Sequence, residues 1–425
     1  MTIPENIAYL YTIKSVRETN SSTIPLIKTN KLINFDVDLN KMDSVVDFVI
    51  KTIRESFPTN ESLLNIPVHG RFQHFGKGNP NRLTDLIKKF KLTLSDYEIC
   101  KKLIDLFVIS VLLDAGAGNE WKFKEPKTNL EINRSEGIAI ASFYMFENGI
   151  FSSNINDKYI VDGNKLINLT EKELSDGLQI NEFNPINGFN GRLKLLNKLG
   201  ETLINNKELF NNNRPGDLID YLKINSINEN EIDIEVLWDA LMKGLLPIWP
   251  IEGRTKIDGY IIGDAWPLKN KNNKIVTFHK LTQWLTYSLF KPLIEFGGFK
   301  ILNSNLMTGL PEYRNGGLFI DFNVLKLKDD IYLKGIKFGK ENNLDLPAFK
   351  PDDDIIVEWR SATICLLDML LPLINEKMNI NNTKYELSLP QLIEAGSWKS
   401  GRLIASMKRE NGGPPIELIA DGTVF

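Results

Sequence analysis

The run Thr308-Gly309-Leu310-Pro311-Glu312-Tyr313-Arg314-Asn315-Gly316-Gly317 sets a carboxylate, a phenol and a guanidinium next to one another in a turn fixed by glycine and proline. A turn needs none of these three groups, which makes this stretch the strongest single candidate for a catalytic loop. A second acidic turn, Gly263-Asp264-Ala265-Trp266, precedes Phe278-His279-Lys280-Leu281-Thr282-Gln283-Trp284-Leu285-Thr286-Tyr287. On a helix His279, Gln283 and Tyr287 fall four residues apart and line one face, with Lys280 beside them and Trp284 four residues beyond it. Solvent-facing helices elsewhere in the chain use Lys, Glu and Asn, so a face of His, Gln and Tyr reads as ligand-facing. Asp264 is either a plain turn-former or a member of the same site.

Further candidates lie on both sides of these. In Leu113-Asp114-Ala115-Gly116-Ala117-Gly118-Asn119-Glu120-Trp121, Gly116 and Gly118 let the backbone turn sharply and a ligand approach it. The competing reading is a helix C-cap with Asp114 and Trp121 as packing groups. The glycines are not a dinucleotide fingerprint, since no strand precedes them and the third glycine is missing. Arg134-Ser135-Glu136 opens a helix, and an arginine at a helix start suits an anion or a phosphate. Glu358-Trp359-Arg360 leads into another helix, either as an internal salt bridge supporting the site or as a ligand contact. Glu394-Ala395-Gly396-Ser397-Trp398-Lys399-Ser400-Gly401-Arg402 closes the set.

Metal chemistry is not expected. His69 and His74 are five apart and do not share a helix face, no cysteine lies near them, and His279 stands alone. No cofactor motif, Cys/His nucleophile or Gly-x-Ser-x-Gly arrangement is present.

The elements that must position these groups are mostly helices. Helical periodicity covers 95–115, 136–147, 188–205, 236–243, 282–296 and 360–376, while strand-like alternation is confined to 257–262 and 318–327, so the chain reads as mainly α with a minor β element. Ser95 before Asp96 and the Thr170/Glu173 capping box mark helix starts. Asn- and Lys-rich spacers such as 211–213, 270–273 and 379–382 read as surface loops, and no internal repeat is visible. A single large helical body over 1–425 is expected, with an amino-terminal helical part, 1–235, and a carboxylate-rich catalytic part, 236–425.

Composition narrows the partner. The 51 basic and 54 acidic residues leave a formal net charge of -3, so no global field favours nucleic acid or anionic lipid, and a small molecule fits better. The two cysteines, Cys100 and Cys365, lie in apolar stretches, as buried thiols in a reducing compartment would. No signal segment and no stretch of eighteen apolar residues is seen, so no membrane association is expected. The expected location is the cytosol, with the nucleus compatible.

The runs 278–285 and 308–317, with the terminal Asp421-Gly422-Thr423-Val424-Phe425, resemble the uracil-catabolism protein 4 family, and the likeness extends from the His69–Arg82 region to Phe425. Ala395 and Ser397 stand where that family has Gly and Thr. A more distant likeness joins the order Asp114-Ala115, Gly263-Asp264, 279–283, Glu312-Tyr313-Arg314 and Glu358-Trp359-Arg360 to the queuosine-salvage N-glycosidase family, with Glu312 in place of Asp. That resemblance implies a fold related to helix-hairpin-helix DNA glycosylases and hydrolysis of an N-glycosidic bond.

Together the two resemblances imply an enzyme of uracil catabolism that releases urea from a ribosylurea or its 5′-phosphate. The C1′–N bond breaks through an oxocarbenium-like sugar, so a carboxylate must stand near C1′. The leaving nitrogen must be protonated as it departs. On this reading one of Glu312 and Asp264 stabilises the cation or activates water, and the other holds urea or ribose hydroxyls. Lys280 and Arg134 anchor a 5′-phosphate, although Lys280 could instead pair with a carboxylate. Trp121, Trp284 and Tyr313 wall the pocket, which His279, Gln283, Arg314, Glu358, Arg360 and Asp114 complete. The competing readings are an amide hydrolase for a ring-opened ureido acid, which lacks an evident metal or nucleophile, and a non-catalytic binding subunit associating with other enzymes of the pathway. Near-neutral charge weighs against action on DNA.

Overall fold

The computed structural model describes residues 3–79, 81–114 and 120–419. The glycines at 116 and 118 and the terminal run 421–425 lie outside these residues. Helices dominate, and the strands form short two-stranded pieces. Two compact units share the chain. One is built from the described residues of 1–69, 252–280 and 305–419, the other from those of 70–251 and 281–304. Both units draw on residues from either side of position 236.

In the second unit the central element is the helix Asp96–Leu112. Ser95 caps it, its Oγ accepting the Glu98 amide at 3.3 Å. Residues on every side of this helix are buried, including Lys102 and Asp105. Buried charges must be paired, and these are: Lys102 meets Asp157 at 2.5 Å and Asp105 meets Arg214 at 2.6 Å. Helices Arg134–Glu147, Phe189–Asn205 and Ile234–Leu245 complete the frame. The Thr170/Glu173 capping box forms at the helix Glu171–Gly177. Small ladders pair Lys122–Lys124 with Glu131–Asn133 antiparallel and Glu231–Asp233 with Lys300–Leu302 parallel.

In the first unit the 24-residue helix Asp354–Lys377 is flanked by Met42–Ser56 and Tyr313–Asp321, and Trp398–Lys408 packs against those two helices. Short ladders join Phe35–Val37 to Leu325–Leu327, Ala265–Leu268 to Lys274–Thr277 and Ala348–Phe349 to Glu417–Leu418.

Two sequence expectations need correction here. The alternation over 257–262 is not one strand but a hairpin of Lys256–Ile257 with Tyr260–Ile261. Its loop, Asp258-Gly259, has φ of 50° and 85°, as a tight turn with two left-handed residues requires. The alternation over 318–327 belongs to a strand only at Leu325–Leu327, because the helix Tyr313–Asp321 takes its first part. Asn315, Gly316 and Gly317 are weak helix formers, and tertiary packing overrides that preference. A Cβ on Gly316 would lie 2.7 Å from Trp359 Nε1 and from Thr363 Oγ1, so glycine is what lets this helix lie close to Asp354–Lys377.

The helix Trp398–Lys408 approaches Tyr313–Asp321 just as closely at Gly401, where a Cβ would stand 2.1 Å from the Arg314 carbonyl oxygen. Alanine in an open helix position gains about 1 kcal/mol over glycine. Gly401→Ala should instead lower the thermal midpoint measured by circular dichroism, since backbone cannot yield as a side chain can. An unchanged or raised midpoint would show that the two helices can part at little cost.

Candidate functional site

Asp264 sits at the start of the Ala265–Leu268 strand, after Gly263 at φ 78°. All the acceptor capacity of its carboxylate is used. Oδ1 accepts from Trp266 Nε1 and Arg360 Nη1, both at 2.8 Å, and Oδ2 accepts from Arg360 Nη2 at 2.7 Å and the Lys280 amide at 3.0 Å. Burial works against the charged form. The Arg360 guanidinium and the remaining donors outweigh it and hold Asp264 well below the usual carboxylate range. With four donors on its two oxygens, this carboxylate positions the groups that donate to it.

The same carboxylate opens the helix Lys280–Glu295, because its Oδ2 receives the first helical amide. His279 is therefore not on that helix, contrary to the face expected with Gln283 and Tyr287. It precedes the helix with φ 42°, a left-handed conformation costly for a residue with a Cβ. Its backbone N–H donates to the Asp264 carbonyl at 3.1 Å, and Nε2, facing the Leu10 carbonyl at 2.8 Å, must carry the ring proton. Burial keeps the imidazole below the ordinary histidine pKa.

Glu312 is a helix N-cap. Its Oε2 accepts the Arg314 amide at 2.8 Å and its Oε1 the Asn315 amide at 2.6 Å. Two donors occupy two of roughly four acceptor sites. Asn315 is locked in turn, Nδ2 donating to Leu310 O at 3.1 Å and Oδ1 accepting from Ser397 Oγ at 2.8 Å. The Arg314 guanidinium lies 5.3 Å from the Tyr313 ring centre and 5.1 Å from that of Trp398.

Glu358 and Arg360 do not pair with each other. Two residues apart on a helix, they face different ways. Arg360 reaches Asp264, while Glu358, 0 % exposed, accepts from the Ile33 and Asn34 amides, Asn34 Nδ2 and Asn270 Nδ2 at 2.6–2.9 Å. Burial pushes its pKa up against the pull of these donors. Glu358 anchors the fold by holding the 33–34 backbone and Asn270 to its helix.

The remaining expected site residues belong to the second unit. Asp114 accepts from Arg71 Nη1 at 2.9 Å and from Ser135 Oγ at 2.6 Å. Arg71 is fully buried, and desolvation lowers its pKa although Asp114 opposes this. Arg134 opens its helix with φ 55°, a second strained residue at a helix start. Gln283 and Trp284 are buried, the Trp284 ring centre 5.4 Å from that of His74. Trp121 is corrected from pocket wall to core: it is 0 % exposed, its Nε1 donates to Leu178 O at 2.9 Å, and its ring lies where a Cβ on Gly137 would clash.

Three residues were missed as partners in these clusters: Arg71, which holds Asp114, and the pair His69 and Glu394. His69 Nδ1 is 2.6 Å from Glu394 Oε2, and its ring centre is 5.7 Å from that of Trp398. No cluster of three or more metal-ligating side chains occurs among the described residues, and no helix among them is long and apolar enough to cross a membrane.

Residues 9–425 match the family model described as "Protein of unknown function (DUF1688)". The chain is 48% identical to "Uracil catabolism protein 4" of Lachancea kluyveri, with 100% of each covered. It is 40% identical to "Protein urg3" of Schizosaccharomyces pombe, with 99% of each covered.

Asp264→Asn tests the pin at the centre of this unit. It leaves Arg360, 3 % exposed, without its counter-charge, a loss of about 3–5 kcal/mol at neutral pH by urea unfolding. A depressed folded-state pKa gives stability that is present above the unfolded value, about 3.9, and lost as pH falls through the folded one. The gap between wild type and variant should therefore be widest above about pH 4 and close on acidification. A gap independent of pH would show that charge is not what Asp264 contributes.

Proposed function

Since the chain belongs to the DUF1688 family, together with a uracil catabolism protein matched end to end, we propose that it acts in uracil catabolism by hydrolysing the C1′–N bond of a ribosylurea, free or 5′-phosphorylated, to urea and the sugar. The observation that carries this reading is Glu312: a carboxylate fixed by two backbone amides at a helix start, with acceptor capacity left over. That is the group an oxocarbenium-like sugar needs beside C1′, fixed before the reaction and requiring no reorganisation during it. Asp264, with every acceptor site taken, is in this reading a positioning residue for Arg360 and for the start of the helix at Lys280. The choice that the sequence left open therefore falls on Glu312 as the reacting carboxylate.

Tyr313 and Arg314 follow Glu312 directly in the chain and supply a ring and a donor fork for a ribosyl or ureido group. Lys280, at the start of its helix, is the natural anchor for a 5′-phosphate in the same unit. The motif order supports a kinship with helix-hairpin-helix DNA glycosylase-like folds, which the mainly helical architecture accommodates. The partner is a small molecule, as the near-neutral charge suggests.

Purified protein incubated with ribosylurea and with its 5′-phosphate, each with and without chelator, should release urea, detected by a coupled urease assay. No urea from either substrate would sink the proposal. Glu312→Gln keeps one capping oxygen and loses the charge, so kcat should fall on the order of 100- to 1,000-fold. Stability should drop by only about 1 kcal/mol. A variant that retains wild-type turnover would remove Glu312 from the chemistry.

A further inference from the structure

Breaking the glycosidic bond needs a proton donor for the departing nitrogen, and the buried carboxylates and His279 are already committed elsewhere. Asp264 is held ionised by two bonds from Arg360 and two others, from Trp266 and the Lys280 amide. Glu358 is fully buried, with four donors on its two oxygens. Among the histidines, His279 gives its Nε2 proton to the Leu10 carbonyl, and burial disfavours its charged form. His74 lies in the other unit, with Nδ1 3.2 Å from the Arg71 guanidinium.

His69 has a different partner. Its Nδ1 is 2.6 Å from Glu394 Oε2, so a carboxylate fixes the ring and takes the Nδ1–H. The pair lies in the same unit as Glu312 and is joined to it by packed groups. The Trp398 ring touches His69 at 5.7 Å and the Arg314 guanidinium at 5.1 Å, and the Arg314 amide donates to Glu312. Glu394 itself sits in a π-helical turn, Ile393–Ser397, a distortion frequently found at functional sites. From the same turn, Ser397 Oγ holds Asn315, whose amide is the second donor to Glu312. One local distortion thus carries the partner of His69 and a support of Glu312.

We infer that His69, oriented by Glu394, is the general acid of this site and protonates the leaving urea nitrogen. The inference rests on the glycoside reading above. As the C1′–N bond breaks, its electron pair goes to nitrogen and the Nε2 proton of the imidazolium follows, giving neutral urea and a neutral His69 whose Nδ1–H stays on Glu394. Water adds to C1′ of the cation lying against Glu312, and the proton it loses returns to Nε2. The sum is ribosylurea plus water to ribose plus urea, with the enzyme restored.

The test uses the full chain and two substrates, ribosylurea and 4-nitrophenyl β-D-riboside, whose phenolate departs without a proton. His69→Gln should lose on the order of 100-fold in kcat on ribosylurea and less than about tenfold on the nitrophenyl riboside. His69→Ala should regain ribosylurea turnover when imidazole is added, which serves as an independent readout if the wild-type protein does not accept the nitrophenyl substrate. Glu394→Gln, which keeps a hydrogen-bond acceptor but not the charge, should show the same selectivity in milder form and covers the case in which a His69 variant does not fold. Wild-type activity in His69→Gln, or parallel losses on both substrates without imidazole rescue, would overturn this assignment alone. Wild-type protein inert on both substrates would overturn the glycoside reading and this assignment with it.

Discussion

The structure of the first unit depends on where one negative charge is held. Asp264 ties three parts of the chain to a single point: the strand that follows it, through Trp266; the long helix, through Arg360; and the start of the next helix, through the Lys280 amide. None of these contacts is strong alone in water. In a buried setting they are mutually dependent, since each donor lowers the cost of burying the carboxylate for the others. The left-handed backbone of His279 follows from this arrangement. The chain must bend tightly to bring two successive amides, those of His279 and Lys280, onto the same aspartate.

Glu312 shows the complementary use of a carboxylate. There the donors are backbone amides of one helix start, no arginine neutralises the charge, and acceptor sites remain. The two groups have the same functional chemistry and nearly the same reach, and their surroundings separate them into one whose acceptor sites are all taken and one that keeps acceptor sites open. Tuning by environment is the usual way that paired carboxylates acquire different tasks.

How far the sequence showed this varies with distance along the chain. Local signals were readable: the Thr170/Glu173 capping box and the buried helix after Ser95. The Asp258-Gly259 turn was just as readable, and treating 257–262 as one strand passed over it. Glu312 was found as a residue of interest, but its place as an N-cap was hidden because the glycines after it suggest a loop until they are seen packing against Trp359. Trp121 was a matter of burial, which an isolated tryptophan does not reveal. What no local pattern could supply were partners: His69 and Glu394 are 325 residues apart, and Arg71 and Asp114 are 43 apart. A histidine among glycines and aromatics looks the same whether its carboxylate exists or not.

The interleaving of the two units sets the order in which the protein can assemble as it leaves the ribosome. The described part of the second unit is complete once residue 304 has been made, whereas the first unit waits for residues up to 419. The amides of Ile33 and Asn34 must remain without Glu358 until 325 and 324 further residues have been added. The earliest-made segment is thus among the last to find its place, and until then its apolar residues, such as Val45, Val46 and Val49, have no finished core to enter. Truncation from the carboxy-terminal side would remove the closing pieces of the unit that begins the chain, so the shorter products would carry an unfinished first half and not a smaller working protein.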